Sequence, residues 1–418
     1  MPFNKNLIIL LSGLFLVMVG FGITLPVLPF YIKNLSQAQG ISSQNLWLHV
    51  GLITGIYPFM QFLLSPYLGS LSDRLGRRPL ILYGLAGYSI SMFLFSISGS
   101  IALLYIFRLL AGISSAAFFI ASSAYVADNT SEDKRGGGMS LLVSVASLGV
   151  VAGPLIGNLF SKADITIGRI TIDKYSLPFS LSAILALLVC GFLFFSLKES
   201  YNSRHHEIID TRKREKKSVF IILKSIKKSF VLLLFLSFIS QLSLAMFEGT
   251  FALHSQRLFQ FDVKQMGFVF IVCGSVMGLL QLGPVAWLIK WKGERTLLPY
   301  GLLILGIGMS LLMLSSKIGF ILFFVSIVSA GMAILTPSLA SLVTIESDET
   351  YGTSLGIYSS VNSLGQMLGV IVGSVMMIWF DHLPYFIISI ILFITAWVAI
   401  PRSKFKILQL ENIKKHKT

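Results

Sequence analysis

The chain has 418 residues, of which 55% are hydrophobic and only 12% are charged. Soluble proteins carry about 25% charged residues, so this composition excludes a water-soluble body of such length. The net charge of +15 could suggest a nucleic-acid partner, but the basic residues stand in short segments between long apolar runs, and we expect no nucleic acid to bind.

The apolar runs, taken in chain order, predict twelve membrane-spanning helices. A span needs roughly 20 apolar residues, and the first run, after Lys5, is too long for the core of a signal peptide, so we expect it to be retained. The predicted fold class is an all-α membrane protein. We expect the spans at 7–32, 47–70, 79–97, 100–125, 138–161, 176–197, 230–254, 266–289, 297–315, 318–343, 354–380 and 383–400.

Lysine and arginine are distributed unevenly among the segments that connect these spans. With the N-terminus inside, 25 of the 33 basic residues fall on the inner side and seven on the outer side, while Arg108 lies within a span. Membrane proteins concentrate Lys and Arg on the cytoplasmic side. We therefore expect a multi-pass protein of the cell (inner or plasma) membrane, with both termini in the cytoplasm.

A basic linker and an internal repeat divide the chain near its midpoint. Residues 131–159 align without gaps on 347–375, and nine of the 29 positions are identical. A repeat in the same sense after six spans predicts two parallel six-helix halves with a substrate site between them. The expected divisions are an N-terminal bundle at 1–197, a basic linker at 198–229, a C-terminal bundle at 230–400 and a basic tail at 401–418.

The loop after span two combines glycines with charged residues. Gly69 can let helices approach closely, Gly76 permits a tight turn, and Asp73 can lie near the N-terminal dipole of a helix. Arg77 can pair with a carboxylate at a neighbouring helix end, for which Asp128 is the candidate. The alternative is an ordinary basic cytoplasmic loop. The residues expected to control conformational gating are Gly69, Asp73, Arg74, Gly76, Arg77 and Asp128.

Span five contains a second pattern of small residues. It reads Gly-Val-Val-Ala-Gly-Pro-Leu-Ile-Gly-Asn over 149–158. The Gly-Pro pair bends a helix, and the glycines offer a smooth surface that can slide against a neighbour. The residues of this motif are Gly149, Gly153, Pro154 and Gly157.

The loop motif resembles the signature of the major facilitator superfamily. The Gly22–Pro29 run, Arg108 with Gly112, and the span-five pattern resemble motifs of its twelve-span drug:proton antiporters. Within that family, the chain resembles the NorA- and Bmr-like multidrug efflux pumps. This resemblance implies a monomeric exporter with the major facilitator fold, in which Arg108 serves the proton step. Asn158 departs from the usual glycine, and span ten lacks the acid that these pumps tend to have.

Glu248 is the one acidic residue well inside a predicted span. An idle charge at mid-bilayer costs about 2.5 kcal/mol or more, so such a residue is expected to be functional. Ser237, Gln241 and Glu248 share a helix face, which we expect to line the cavity. A low dielectric favours the neutral carboxyl form, so Glu248 could alternate between a proton and a cationic substrate. The alternatives are a structural Arg108–Glu248 ion pair and a glutamate that reaches the headgroups.

Several polar and aromatic residues in apolar runs are candidate substrate contacts. Helix packing is the alternative for Gln61, Phe118, Phe247, Tyr358, Asn362 and Gln366. For Arg108 the alternative role is structural, with its charge neutralised by backbone carbonyls. His254, near the outer end of span seven, is expected to be an ordinary interfacial histidine. The candidates for substrate binding are Gln61, Phe118, Gln241, Phe247, Glu248, Tyr358, Asn362 and Gln366.

Together these features predict a proton-coupled antiporter that exports amphipathic drugs or organic cations from the cytoplasm by alternating access, a role in antibiotic resistance. The expected partners are small amphipathic substrates, protons and the lipid bilayer. An exporter of one endogenous metabolite or lipid precursor is the alternative.

Cys190 and Cys273 lie in apolar runs and imply no metal site. No phosphate-binding loop or nucleophile–base set is present, so we expect no cofactor and no enzyme activity.

Overall fold

The computed structural model describes residues 5–130, 135–159, 165–167, 170–199, 228–314, 316–346 and 351–415. Within them the chain forms fourteen helices and one antiparallel hairpin of two short strands. The elements are α1 Lys5–Thr24, α2 Leu28–Ala38, α3 Ser43–Leu75, α4 Arg77–Ser96, α5 Ile101–Asp128, α6 Arg135–Leu159, β1 Ile165–Ile167, β2 Ile170–Ile172, α7 Leu177–Ser196, α8 Lys228–Phe259, α9 Val263–Leu282, α10 Pro284–Lys292, α11 Glu294–Leu311, α12 Ile318–Glu346, α13 Tyr351–Trp379 and α14 Leu383–Lys415.

The helices follow the apolar runs because a backbone inside a membrane must satisfy its own hydrogen bonds. Among the described residues, nine helices are long and apolar enough to cross a membrane. Three further helices, α6, α11 and α14, stand at predicted spans five, nine and twelve. The apolar parts of α6 and α14 are shorter, and α11 begins with charged residues. Span one comprises α1 and α2, and span eight comprises α9 and α10. The predicted all-α membrane fold is confirmed, apart from the β1–β2 hairpin, which the sequence did not predict.

Span one is broken between Thr24 and Leu28. Pro26 falls within the break and has no N–H to donate to a helix. Beyond the break, the Tyr31 hydroxyl donates toward the carbonyl oxygens of Phe95 at 3.0 Å and Ser98 at 3.1 Å, at the end of α4. The second part of span one is therefore fastened to α4.

The helices form two groups, an N-terminal group of α1–α7 and a C-terminal group of α8–α14. We call the end that holds the α3–α4 turn the Asp73 end, and the opposite end, which holds β1 and β2, the hairpin end. The largest buried cluster combines residues of both groups. Two smaller clusters toward the Asp73 end each belong to one group. The groups therefore pack together mainly toward the hairpin end.

The contact between the groups includes α3 and α13. A Cβ added to Gly51 of α3 would lie 2.7 Å from the Ser374 Cβ of α13, and one added to Gly55 would lie 2.8 Å from Ile371. Both glycines stand in the first half of α3, toward the hairpin end. This close approach of two helices needs residues without side chains on one of them.

The sequence repeat corresponds to equivalent helix contacts in the two groups. In the N-terminal group, α6 packs on α1, and a Cβ added to Gly153 would lie 2.5 Å from the Gly22 Cα. In the C-terminal group, α13 packs on α8, and a Cβ added to Gly365 would lie 2.8 Å from the Phe238 carbonyl oxygen. The repeated glycines thus hold the fifth span of each group against its first span.

Candidate functional site

A charged cluster joins α3, α4 and α5 at the Asp73 end. Arg77 is only 5% exposed. Its Nη1 lies 2.6 Å from Asp73 Oδ1 and also donates to Ser72 Oγ at 3.1 Å, while its Nε donates to Asp128 Oδ2 at 2.9 Å. Charge-assisted hydrogen bonds of this length are among the strong ones. The pairing of Arg77 with Asp128 that the sequence predicted is therefore present.

The start of α4 is capped by a carboxylate that the sequence analysis missed. Glu199 accepts hydrogen bonds from the backbone N–H groups of Arg77 and Arg78, both at 3.1 Å. An anion at a helix N-terminus is favoured by the helix dipole. The sequence assigned this kind of position to Asp73, which instead pairs with Arg77. Glu199 stands at the edge of the charged linker, where its sequence surroundings give no separate signal.

The two glycines of the predicted loop motif lie in different surroundings: Gly69 stands inside α3, and Gly76 forms the turn between α3 and α4. Gly76 adopts φ of 95°, so the tight turn predicted for it is confirmed. For Gly69 the expected close helix contact is wrong in this structure, because an added Cβ would meet only Ile120, at 3.9 Å. Arg74 is exposed in the last turn of α3. Within this motif, the turn at Gly76 and the ion pairs of Arg77 are therefore the features with a defined structural role.

The C-terminal group has a corresponding arrangement at the α10–α11 turn. Gly293 adopts φ of 77°, and Arg295 forms an ion pair with Glu346 at the end of α12. The Ser341 hydroxyl also donates to Glu294 Oε1 at 3.0 Å. The sequence of this turn is degenerate relative to the α3–α4 motif, because it lacks an aspartate before the glycine. The structure nevertheless keeps the left-handed glycine and an arginine–carboxylate pair to the fourth span of the group.

Arg108 is enclosed in the N-terminal group and is 2% exposed. Its guanidinium lies over the Tyr57 ring at 4.7 Å and near the Phe95 ring at 6.0 Å. Tyr57 in turn stacks on Phe21, with centroids 5.5 Å apart. The Nε atom has no hydrogen-bond partner among the described residues, and no carbonyl contact of the side chain supports the alternative of neutralisation by backbone. Aromatic faces therefore supply the main stabilising contact of this charge.

Glu248 lies in the C-terminal group, eleven residues before the end of α8. That is roughly 16 Å along the helix axis. The side chain is partly accessible. The described residues provide it with no hydrogen bond and no ion pair within 4.0 Å, so the structural Arg108–Glu248 pair is absent. The thiol of Cys273 on α9 lies close enough to interact electrostatically with the Glu248 carboxyl group. Within the described part of the chain, the carboxyl group is thus unpaired and partly accessible.

Three of the candidate substrate contacts are used in helix packing. Phe118 is 1% exposed and lies against α4, where an added Cβ on Gly84 would meet its backbone. Phe247 is 0% exposed and packs on Phe251 at 5.0 Å. Gln61 donates to Ser115 Oγ at 3.2 Å, between α3 and α5. In this structure these three side chains take part in helix packing, and their role as substrate contacts stays a prediction.

The remaining candidates form a partly accessible polar strip on α8 and α13. Asn362 accepts from Ser237 Oγ at 2.5 Å, which joins the two helices. Tyr358 donates to the Thr336 carbonyl oxygen of α12 at 3.4 Å. Gln241 and Gln366 are also partly exposed. The strip and Glu248 therefore share the C-terminal group, whereas Arg108 lies in the other group.

The span-five motif forms a helix contact rather than a binding surface. A Cβ on Gly149 would lie 2.6 Å from the Phe15 carbonyl oxygen of α1. Pro154 stands inside α6, where it is buried, and Gly157 lies in the last turn of the same helix. Val370, which occupies the position of Pro154 in the repeat, packs on Gly249 of α8. Both copies thus serve contacts with the first span of their group.

His254 differs from the expectation of an interfacial histidine. It is 0% exposed, and aromatic rings surround it near the hairpin end of α8. This burial could not be predicted from the sequence, because a histidine near the end of an apolar run can equally lie at the membrane surface.

Comparisons with known proteins agree with this architecture. The family model for the Major Facilitator Superfamily matches residues 10–349 and again 284–417, so the chain belongs to this family of membrane transport proteins. It is 27% identical over 402 residues to Multidrug resistance protein 1 of Bacillus subtilis (strain 168), covering 95% of this chain and 97% of the relative. It is 23% identical over 373 residues to the quinolone resistance protein NorA of Staphylococcus aureus (strain MSSA476), covering 88% and 89%.

The fold is also that of a solved structure. The human organic anion transporter MFSD10 (TETRAN) superposes with a TM-score of 0.70 at 23% identity, over 96% of this chain and 100% of that chain. The predicted family resemblance and the predicted major facilitator fold are thereby confirmed.

Proposed function

We propose that the protein is a proton-coupled antiporter that exports amphipathic drugs or organic cations by alternating access. The observation that carries the proposal is Glu248, a partly accessible intramembrane carboxyl group with no ionic or hydrogen-bonding partner among the described residues. Charged groups at such depth are expensive unless they are used. Relatives named for multidrug and quinolone resistance support a drug as the substrate.

The proposed cycle uses Glu248 for two ligands in turn. In the state open to the cytoplasm, the carboxylate binds a cationic substrate while aromatic and polar residues of α8 and α13 hold its apolar body. The two helix groups then rock so that the site faces the outside. There a proton displaces the substrate, and the protein goes back to the state open to the cytoplasm with a neutral carboxyl group. Arg108, beneath Tyr57, keeps a fixed positive potential in the N-terminal group that opposes a return with a bound cation.

We further propose that the Asp73 end faces the cytoplasm and that the two groups are the halves bounded near 197 and 230. The distribution of basic residues supports this orientation. Because the groups pack mainly toward the hairpin end, their opposite ends would then face the cytoplasm, the side from which an exporter takes its substrate.

The test measures export of ethidium, a fluorescent cation, from loaded cells with and without a protonophore. We expect the native protein to export it and the protonophore to abolish export. Glu248→Gln, which keeps the shape of the side chain but cannot ionise, should reduce coupled export at least about tenfold, the effect of losing about 1.4 kcal/mol or more of coupling.

Asp262→Asn is a matched control, because Asp262 is an exposed acid that caps α9, and asparagine caps a helix equally well. It should export like the native protein. Normal export by Glu248→Gln at equal expression would contradict the role of this residue. Transport of only one among many amphipathic compounds would favour an exporter of a single endogenous metabolite or lipid precursor.

A further inference from the structure

The ring of His254 is enclosed near the hairpin end of α8 although it is a polar group. It contacts the rings of Phe259, His382 and Tyr385 at centroid distances of 5.7, 5.2 and 5.2 Å. Among the described residues, neither ring nitrogen has a hydrogen-bond partner. Nearly all buried polar groups in proteins are hydrogen-bonded, so an exception calls for an explanation.

The groups that carry charge or protons around this ring come from α8, α14 and the turn between α13 and α14. They are Arg257 on α8, Tyr385 on α14, and Asp381 and His382 in the turn. The Asp381 carboxylate pairs with Arg257 at 3.0 Å, and its backbone faces the imidazole. A protonated His254 would therefore lie beside a cation, within a wall of aromatic rings.

Protons from the medium have a short route to this ring. His382 is exposed and lines a recess of about 460 Å³, together with Arg257 and Asp381. The inner side of His382 contacts His254, so one imidazole faces solvent and the next is enclosed behind it. On the far side, the Tyr385 hydroxyl lies 3.0 Å from Thr250 Oγ1.

The last turns of α8 also connect the two helix groups. Gln256 Oε1 accepts a hydrogen bond of 2.8 Å from the Lys33 ammonium, which belongs to α2. His254, Gln256 and Arg257 thus lie within four residues and hold the end of α8 against α14 and α2 at once. A displacement of this segment would loosen the closed hairpin end.

We propose that His254 is a second proton-responsive residue of the transport cycle. While its ring is neutral, the hairpin end stays closed, and its protonation releases the Lys33–Gln256 contact between the helix groups. The inference rests on the proposed proton-driven function. An enclosed imidazolium beside Arg257 is unfavourable, whereas a solvated one is not. A proton that binds the open state better shifts the equilibrium toward it, so external protons favour the state that must receive them.

The experiment measures the separation of the two groups at the hairpin end by electron spin resonance. Spin labels are attached at Ala38→Cys and Lys264→Cys, which are exposed positions on different groups, in a Cys190→Ala, Cys273→Ala background. Distances are recorded in lipid nanodiscs at about pH 8 and about pH 5.5, on both sides of the usual titration of histidine. The ratio of long to short distances should rise at least about fivefold at the lower pH.

Three variants separate His254 from other titrating groups. His254→Phe keeps an aromatic ring but cannot bind a proton, so it should lose the pH-dependent shift. Glu248→Gln should keep the shift, and so should His49→Phe, which removes another histidine near the hairpin end. A full shift in His254→Phe would overturn the proposal, as would a shift that disappears only in Glu248→Gln.

A replacement variant and further measurements test the proposed role of His254 in other ways. If His254→Phe does not fold, His254→Gln serves in its place. Gln256→Leu removes the bond between the groups, so it should raise the proportion of long distances at about pH 8, and unchanged distances would count against the mechanism. A native protein with uncoupler-sensitive export but pH-independent distances would overturn this inference alone. Export that ignores the uncoupler would instead remove the proposed function.

Discussion

The Arg77 Nε donates to Asp128 Oδ2 across 2.9 Å and thereby fastens the start of α4 to the end of α5. The same guanidinium binds Asp73 of α3 through Nη1. The arginine is almost fully buried, while the Asp73 and Asp128 side chains are 46% and 32% exposed. One cation thus organises three helix ends, and the carboxylates around it remain in reach of solvent.

Arg77→Ala should weaken the Asp73 end. It leaves two carboxylates facing each other without the cation that joins them, and charge-assisted bonds contribute about 1.5–3 kcal/mol each when buried. Because both carboxylates are partly solvated, we expect a total loss of only about 1–2 kcal/mol. Thermal unfolding in detergent measures the loss. Arg77→Lys should recover part of it, and Arg74→Ala, at an exposed position, should change the midpoint less.

Gly76→Ala and Gly293→Ala form a matched pair for the two capped turns. Both glycines have positive φ, which costs an alanine about 1–2 kcal/mol. An added Cβ on Gly76 would also lie 2.8 Å from Glu199 Oε2, whereas no described atom lies within 4 Å of one on Gly293. We expect Gly76→Ala to lower the unfolding midpoint more. Equal effects would show that the Glu199 cap contributes nothing.

Gly153→Ala should separate α1 from α6. The added methyl group would lie 2.5 Å from Gly22, and helix backbones cannot yield to such a contact without moving apart. We expect export to fall at least about tenfold, the size of effect that misplaced helices produce in coupled sites. Gly278→Ala on α9 is the control, because no described atom lies within 4 Å of its added Cβ. Similar export by both variants would refute the role of this contact.

The Arg295–Glu346 pair should show measurable coupling despite the degenerate loop sequence. The Glu346 side chain is only 10% exposed and the Arg295 side chain 33%, so Arg295→Gln leaves a nearly buried carboxylate without its partner, whereas Glu346→Gln leaves a partly solvated cation. In a double-mutant cycle with Arg295→Gln and Glu346→Gln, we expect a coupling free energy of about 1–2 kcal/mol. Detergent unfolding of the four proteins provides the values, and strictly additive effects would argue against a functional pair.

The spans were predictable because membrane helices are defined by the length and polarity of local runs. The Gly153 contact was predictable for a related reason, since its pattern recurs 216 residues later at Gly369. The β1–β2 hairpin gave no comparable signal, because strands of three residues are too short for a clear periodicity.

The missed features all depend on contacts between distant residues. Glu199 caps a helix that begins more than 120 positions earlier in the chain, and Glu346 pairs with Arg295 across two helices. The enclosure of His254 likewise comes from the start of α14. Sequence spacing could place Phe118 and Phe247 on helices but could not decide whether they face a cavity or the core, since both faces of a membrane helix are apolar.

The break in span one divides a single membrane crossing between two rigid neighbours. Gly22, before the break, lies against the backbone of α6, and Tyr31, after it, is fastened to the end of α4. If α6 slides, the Gly22 contact would carry α1 with it, while the Tyr31 hydrogen bonds would keep α2 with α4. Residues 25–27 would then take up the difference, and we expect that stiffening this short turn hinders such a motion without touching any charged residue.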